Sequence, residues 1–318
     1  MKLKQIFDLG INLGIKADPR GKTGIKRWLS LEKKKFESLN KQEKKLFDLE
    51  RLTNPYADSR ILFDNGKSVK KVLVGIDMGV AEIALAKTLN LDIDLIIAHH
   101  PEGKALAALD EVMHLQADLM ASYGVPINVA EGVMRERINK VSRQLSPENH
   151  NQAVDAARLA DISMMNMHTP CDNLVFQYLQ NLMDNPPAGG KPETVGEIIE
   201  LLNNIPEYKQ AAFDKAGPRI FAGNPENRAG KIVAFDITGG TSGAKEIYPE
   251  LVKAGIGTVI GMHMNEENRE EALKNHLNVV IAGHISSDSL GLNLYLDELE
   301  KFNIDIVPIS GLIRIKRK

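Results

Sequence analysis

Short apolar runs alternate along the chain with longer stretches whose apolar positions recur at helical spacing. Lys71-Val-Leu-Val-Gly-Ile-Asp77, Asp92-Ile-Asp-Leu-Ile-Ile-Ala98, Pro126-Ile-Asn-Val-Ala130 and Ile162–Met167 read as strands. Ala81–Leu91, Leu106–Tyr123, Glu131–Gln144, Asn149–Leu159 and Asn173–Met183 read as helices. Short strands alternating with longer helices are the signature of an α/β sheet with crossover connections. Asp184-Asn-Pro-Pro-Ala-Gly-Gly-Lys-Pro192, dense in Pro and Gly, reads as a linker. A helix over Thr194–Asn203 follows, and then the rhythm resumes. Its strands are Lys231–Asp236, Gly257–Gly261, Asn278–Ala282 and Ile304–Val307; its helices are Ala244–Ala254, Asn268–Asn275 and Asp288–Phe302. The pattern predicts an α/β protein of two lobes. No internal repeat or low-complexity segment interrupts it.

The expected organisation is a basic helical N-terminal extension over 1–69, an α/β lobe over 70–185, a linker or insert over 186–228, and a second α/β segment over 229–318. The 318 residues are 43% hydrophobic and 26% charged, with a net charge of −2. That balance excludes a disordered, collagenous or strongly nucleic-acid-like chain. Residues 1–50 hold 13 Lys/Arg against 7 Asp/Glu, a net of +6, which leaves −8 for the remainder of a chain whose total is −2. This excess, like the tail Arg314-Ile-Lys-Arg-Lys318, suits either a polyanion-binding arm or a solvated helix face. No aromatic stacking pattern accompanies the charge, which favours the solvated face. With Cys171 alone there is no intramolecular disulfide, and the start MKLKQIFDLG lacks a signal-like apolar run, so the expected location is the cytoplasm. Leu95–Ala98 and Val279–Ala282, among the longest apolar stretches, are far too short to span a bilayer.

Several strands end in residues that bind metals. Leu95–Ala98 runs into His99-His100-Pro101, the strand ending at Met167 into His168-Thr-Pro-Cys-Asp172, Val259–Met262 into His263, and Val279–Gly283 into His284 with Asp288 four residues on. In open α/β sheets ligands bind beyond the carboxyl ends of the strands. Imidazole and carboxylate are the usual ligands of Zn, Mn and Fe, and a carboxylate can bridge two ions. Each piece also has an ordinary reading. The paired histidines suit a packed loop, Asp288 a helix cap, and His168 with Asp172 a hydrogen-bonded turn.

Asp236-Ile-Thr-Gly-Gly-Thr-Ser-Gly243 is either an anion cradle, with Gly239, Gly240, Ser242 and Gly243 presenting backbone N–H groups, or a tight turn that needs positive φ. Gly21-Lys22-Thr23 echoes the end of a phosphate-binding loop, but Lys16 stands where that motif needs Gly and no strand precedes it. Cys171 offers a thiolate ligand or nucleophile, but no dedicated base accompanies it, which favours buried packing.

Leu95-Ile-Ile-Ala-His-His-Pro101 resembles the I-I-x-H-H-P signature of the Nif-three family (NGG-one interacting factor three, also labelled GTP cyclohydrolase I type 2-like). Val72-Leu-Val-Gly-Ile-Asp77, His168-Thr-Pro-Cys-Asp172 and Ala282-Gly-His-Ile-Ser-Ser-Asp288 are similar to three further elements of that family, in the same order. The resemblance covers roughly residues 70–318. It implies a two-lobed α/β fold, a dinuclear metal site in the cleft, and a toroidal homohexamer built from dimers. Carried over by motif, the ligands of two divalent ions (Zn, Mn or Fe) are His99, His100, Asp172, His284 and Asp288. Asp288 stands where the family usually has Glu, one methylene longer. The family's N-terminal W-D-N-x-G stretch is not evident, and 186–228 matches poorly.

The resulting expectation is a metal-dependent hydrolase in which a bridging water attacks an electrophilic carbon or phosphorus centre of a small anionic substrate. The Gly239–Gly243 loop would hold an anionic group, and His263 or Glu266 would carry protons. Two other classes stand beside it. One is a non-catalytic metal storage or sensing protein; the other is a transcription-related interaction protein that contacts nucleic acid through the basic arm. No membrane association is expected.

Overall fold

In a computed structural model, described for residues 1–187 and 190–317, the chain folds around two mixed β-sheets. The first contains β1 (Ile61–Phe63), β2 (Lys71–Gly75), β3 (Leu95–Ala98) and β4 (Ser163–Asn166). The second contains β5 (Arg219–Ala222), β6 (Lys231–Ala234), β7 (Ile256–Gly261) and β8 (Asn278–Ile281). The chain then returns to the first sheet as β9 (Asp305–Pro308). The strand orders are β1-β4-β3-β2-β9 and β5-β8-β7-β6. Both interiors are parallel: Val72 pairs with Leu95, Ile96 with Met164, and Val259 with Val279. Only the edge strands β1 and β5 run antiparallel to their neighbours.

The absence of apolar/polar alternation in β2 and β3 has a direct cause. Successive side chains point to opposite faces of a sheet, and both faces of this one are covered. Val72, Val74, Leu95 and Ile97 pack into one core layer, against Leu3, Ile6, Phe7 and Ile11 of the helix Leu3–Ala17 and Leu292, Tyr295, Leu296 and Leu299 of the helix His284–Glu300. Leu73, Ile96 and Ala98 point the other way, towards Ile83, Ala86, Ala153 and Ala157. A third layer surrounds the second sheet.

The N-terminal segment is therefore structural. Helix Leu3–Ala17 lies close on helix Thr169–Asp184; a Cβ at Gly14 would stand 2.6 Å from Pro170 Cα, so glycine permits the approach. The basic helix Gly21–Ser38 buries only Ile25 and exposes its lysines, as a solvated face does. The tail arginines are engaged internally, Arg314 with Asp297 and Glu300 and Arg317 with Glu207.

The segment 186–228, expected as a linker or insert, supplies the helices Val195–Asn203 and Pro206–Phe213 and then β5, which edges the second sheet. Ala188 and Gly189 of the expected linker, and Lys318, lie outside the described residues. Two local readings are corrected. Pro126–Ala130 is not a strand: Ile127–Leu145 is one helix, with Ala130, Met134, Ile138 and Val141 as its buried stripe. Leu106–Tyr123 is not one helix but spans parts of three, Gly103–Ala107, Leu109–Val112 and His114–Tyr123, with Ala108 leaving helical geometry between the first two. No helix among the described residues is long and apolar enough to cross a membrane.

Candidate metal centre

The carboxyl ends of the two sheets converge, and six strands each deliver a polar group just past their last residue. These are Asp77 after β2, His99 and His100 after β3, His168 after β4, Asp236 after β6, His263 after β7 and His284 after β8. Two helices add carboxylates, Asp172 from the first turn of Thr169–Asp184 and Asp288 from the second turn of His284–Glu300. Neighbouring rings of His99, His100, His168, His284 and His263 stand 4.9–5.9 Å apart between centroids.

Asp288 is fully buried at the middle of this cluster. Its Oδ2 is 3.4 Å from His100 Nε2, 3.6 Å from His284 Nε2 and 3.9 Å from His99 Nδ1. On the other side of His99, Nε2 is 3.2 Å from Asp172 Oδ1. None of these pairs makes a hydrogen bond of good geometry. Both nitrogens of His99, both oxygens of Asp288 and Oδ1 of Asp172 are buried without a partner. A buried unpaired carboxylate costs on the order of several kcal/mol, and native proteins rarely leave one so. Two atoms that share one ion at about 2.1 Å stand roughly 3.4 Å apart, which is the spacing found here. Three groups of potential ligand atoms fall within 4.8 Å of one another: His99–Asp172–Asp288, His100–His284–Asp288 and His99–His100–His168. The donor set and its unpartnered atoms thus fit a bound cation.

The electrostatics follow from the same geometry. Burial alone would push the Asp288 carboxyl up; the imidazoles of His99, His100 and His284 outweigh it and hold it at about 2. Burial and the neighbouring histidines bring His284 down to about 4 against the pull of Asp288. His100 is raised, burial notwithstanding, by Asp288 and by Asp77, whose Oδ1 meets His100 Nδ1 at 2.6 Å. His168 is buried, yet Asp172 and Asp58 hold its ring up at about 9. Burial pushes the Cys171 thiol well up, and Asp172 and Asp288 add to the effect, so this cysteine stays a protonated core residue.

Of the residues singled out in the sequence, His99, His100, Asp172, His284 and Asp288 come together. His263 stands at the rim, its Nδ1 2.8 Å from Ser242 Oγ and 3.3 Å from Asp236 Oδ2. Glu266 opens the helix Glu266–Lys274 at an exposed position, where Arg269 takes its carboxylate at 2.6 Å. In the glycine loop, Gly239 and Gly240 have φ of 90° and 86° and lie against Gln116, Val112 and Met113, where side chains would collide. Gln116 Nε2 donates to the Gly239 and Thr241 carbonyls, and Arg137 Nε to that of Ser242. A cavity of about 510 Å³ begins at Gly243, lined by the cations Arg137, Lys140 and Lys245 and the acids Glu136, Glu246 and Glu267.

Sequence reasoning passed over Asp58, whose buried Oδ2 accepts from His168 Nδ1 at 2.7 Å and Thr169 Oγ1 at 2.6 Å. It lies in the segment taken for an extension, before a strand of three residues, and no periodicity marks it. Asp77 and Asp236 were visible as strand-end acids, but their partners were not.

No family model matches the chain, and no curated protein does. Among solved structures the chain is similar to an NIF3 superfamily protein from Sphaerobacter thermophilus, with a TM-score of 0.75 and 24% identity over 98% of this chain and 99% of the other. That coverage takes in the N-terminal 69 residues, so the segment belongs to the shared fold. Looser likenesses, both with a TM-score of 0.48, are to HcgD from Methanocaldococcus jannaschii (15% identity, 79% of this chain and 87% of that one) and to TTHA1606 from Thermus thermophilus (16%, 80% and 90%).

Proposed function

We propose that the chain is a member of the NIF3 superfamily that holds two divalent metal ions in this cluster and acts as a metal-dependent hydrolase on a small anionic substrate. The observation that carries the reading is Asp288, a fully buried carboxylate with both oxygens unpartnered among the imidazoles of His99, His100 and His284. His99 and Asp172 would hold one ion and His100 and His284 the other, with Asp288 within reach of both sets. Imidazole and carboxylate suit Zn, Mn or Fe. A bound pair of such ions supplies Lewis acidity, which makes water acidic near neutral pH.

The remaining roles belong to the chain's own groups. Asp77 takes His100 Nδ1, which turns Nε2 towards Asp288. Asp236 and Ser242 hold His263 by Nδ1 and leave Nε2 to exchange a proton with substrate at the rim. The adjoining cavity carries as many acids (Glu136, Glu246 and Glu267) as cations (Arg137, Lys140 and Lys245), so the preference for an anionic substrate rests on the attraction of the two metal ions and not on that cavity.

The test is turnover of a panel of phosphate esters, nucleotides and cyclic amides by protein reconstituted with each metal. The reading predicts metal-dependent hydrolysis that His99→Ala abolishes while the fold persists. Stoichiometric metal with no turnover on any compound would favour a storage or sensing role.

A further inference from the structure

We propose that His168 is a sixth ligand of the metal centre, set in place by Asp58. The inference rests on the two-ion reading above and adds to it a group which that reading leaves out.

His168 is buried at the floor of the cluster. Its Nδ1 meets Asp58 Oδ2 at 2.7 Å, and that oxygen also accepts from Thr169 Oγ1. The other oxygen of Asp58 accepts from Ser59 Oγ at 3.3 Å, and the His168 backbone N–H donates to the same Ser59 hydroxyl at 2.9 Å. Ring, carboxylate and backbone are therefore locked together. The lock commits Nδ1 to Asp58 and turns the other nitrogen inward. Nε2 lies 3.7 Å from Asp172 Oδ2, too far for a hydrogen bond and close to the spacing of two ligands on one ion. Its ring centroid is 5.1 Å from that of His99 and 5.9 Å from that of His100, and ligand atoms of all three fall within 4.8 Å of one another. A carboxylate that binds one imidazole nitrogen while the other faces a cluster of ligands is the usual outer support of a metal-bound histidine. Asp58 is accordingly a positioning residue, and the N-terminal segment that supplies it is part of the centre.

The competing arrangement is an imidazolium held between Asp58 and Asp172, with no bond to an ion. Nuclear magnetic resonance of full-length protein labelled with ¹⁵N-histidine and loaded with Zn²⁺ separates the two. The proposal predicts that His168 carries a proton on Nδ1 and a metal-bound Nε2. A doubly protonated ring in the zinc-loaded protein overturns it. In parallel, metal-stripped wild type, His168→Gln and Asp58→Asn are titrated with Co²⁺ and followed by visible absorption. Wild type should bind two equivalents. His168→Gln should weaken one of them by more than a hundredfold and change its spectrum, and Asp58→Asn should weaken the same one by about tenfold. Two unchanged equivalents and an unchanged spectrum in His168→Gln overturn the sixth ligand but leave the five-residue centre standing. Failure of wild type to bind cobalt overturns both. The zinc spectrum needs no variant, so it decides the matter if either substitution fails to fold.

Discussion

Gly291 lies against the backbone of Cys171: a Cβ at Gly291 would stand 2.6 Å from the Cys171 carbonyl oxygen. The two residues sit on the helices that carry Asp288 and Asp172, one turn from the first carboxylate and beside the second. The absence of a side chain at 291 thus sets how closely those carboxylates approach. Gly291→Ala should push the helices apart. The expected loss of stability is about 1–3 kcal/mol, as for other overpacked cores, together with weaker metal binding. Gly132→Ala, at an exposed helical position where a Cβ meets nothing within 4 Å, is the control and should be neutral or slightly stabilising. Thermal unfolding and metal titration of the pair check this.

The metal-free protein should lose stability at alkaline pH through His168. Its ring is held up at about 9 by Asp172 and Asp58 despite burial. A raised pKa contributes stability that is complete below the unfolded-state value of about 6.5 and disappears as pH rises through the folded value. Asp58 is held below the usual carboxylate range by His168 and Thr169, burial notwithstanding, and so contributes above about 3.9 and is lost on acidification. His284, held down at about 4, costs stability as pH falls below about 6.5, so melting temperatures of stripped protein should peak near pH 6.5, declining on acidification and again towards pH 9. His168→Gln should make the alkaline fall shallower, the raised rings of His100 and His263 accounting for what remains. A wild-type curve that stays level to pH 9 would contradict the assignment.

The strand-end histidines were legible because each follows an apolar run that ends abruptly in polar residues, as at Ile97-Ala98-His99-His100. Both parallel sheet interiors could be read for the same reason. Other features lacked such contrast. β1 and β5 are edge strands of three and four residues, mostly half-buried, and their apolar stretches Ile61–Phe63 and Ile220–Ala222 are too short to stand out. Pro126–Ala130 is a short, largely apolar run that resembles a strand in isolation, yet Ile127 and Val129 open a helix whose buried stripe begins at Ala130. Lysines in 1–50 drew attention from the apolar positions Leu3, Ile6, Phe7 and Ile11, which bind that segment to the core. Asp58 could not be found by pattern at all, because its meaning depends on a ring 110 residues away.

Asp236→Asn should separate proton handling from metal binding. The substitution keeps the shape next to His263 Nδ1 but removes the charge that raises that ring's pKa in spite of burial. Metal content should be unchanged. Once a substrate is in hand, kcat should fall on the order of a hundredfold, with its pH profile displaced to lower pH and KM little altered. Loss of metal in this variant would place Asp236 among the ligands instead.

The most direct measurement is elemental analysis of protein purified without added metal, made side by side on wild type and Asp288→Ala, with circular dichroism to show that both are folded. If one carboxylate joins two ions, wild type carries two equivalents of a divalent transition metal per chain and the variant one or none. A folded wild type without metal, or a variant that keeps both equivalents, would contradict the account.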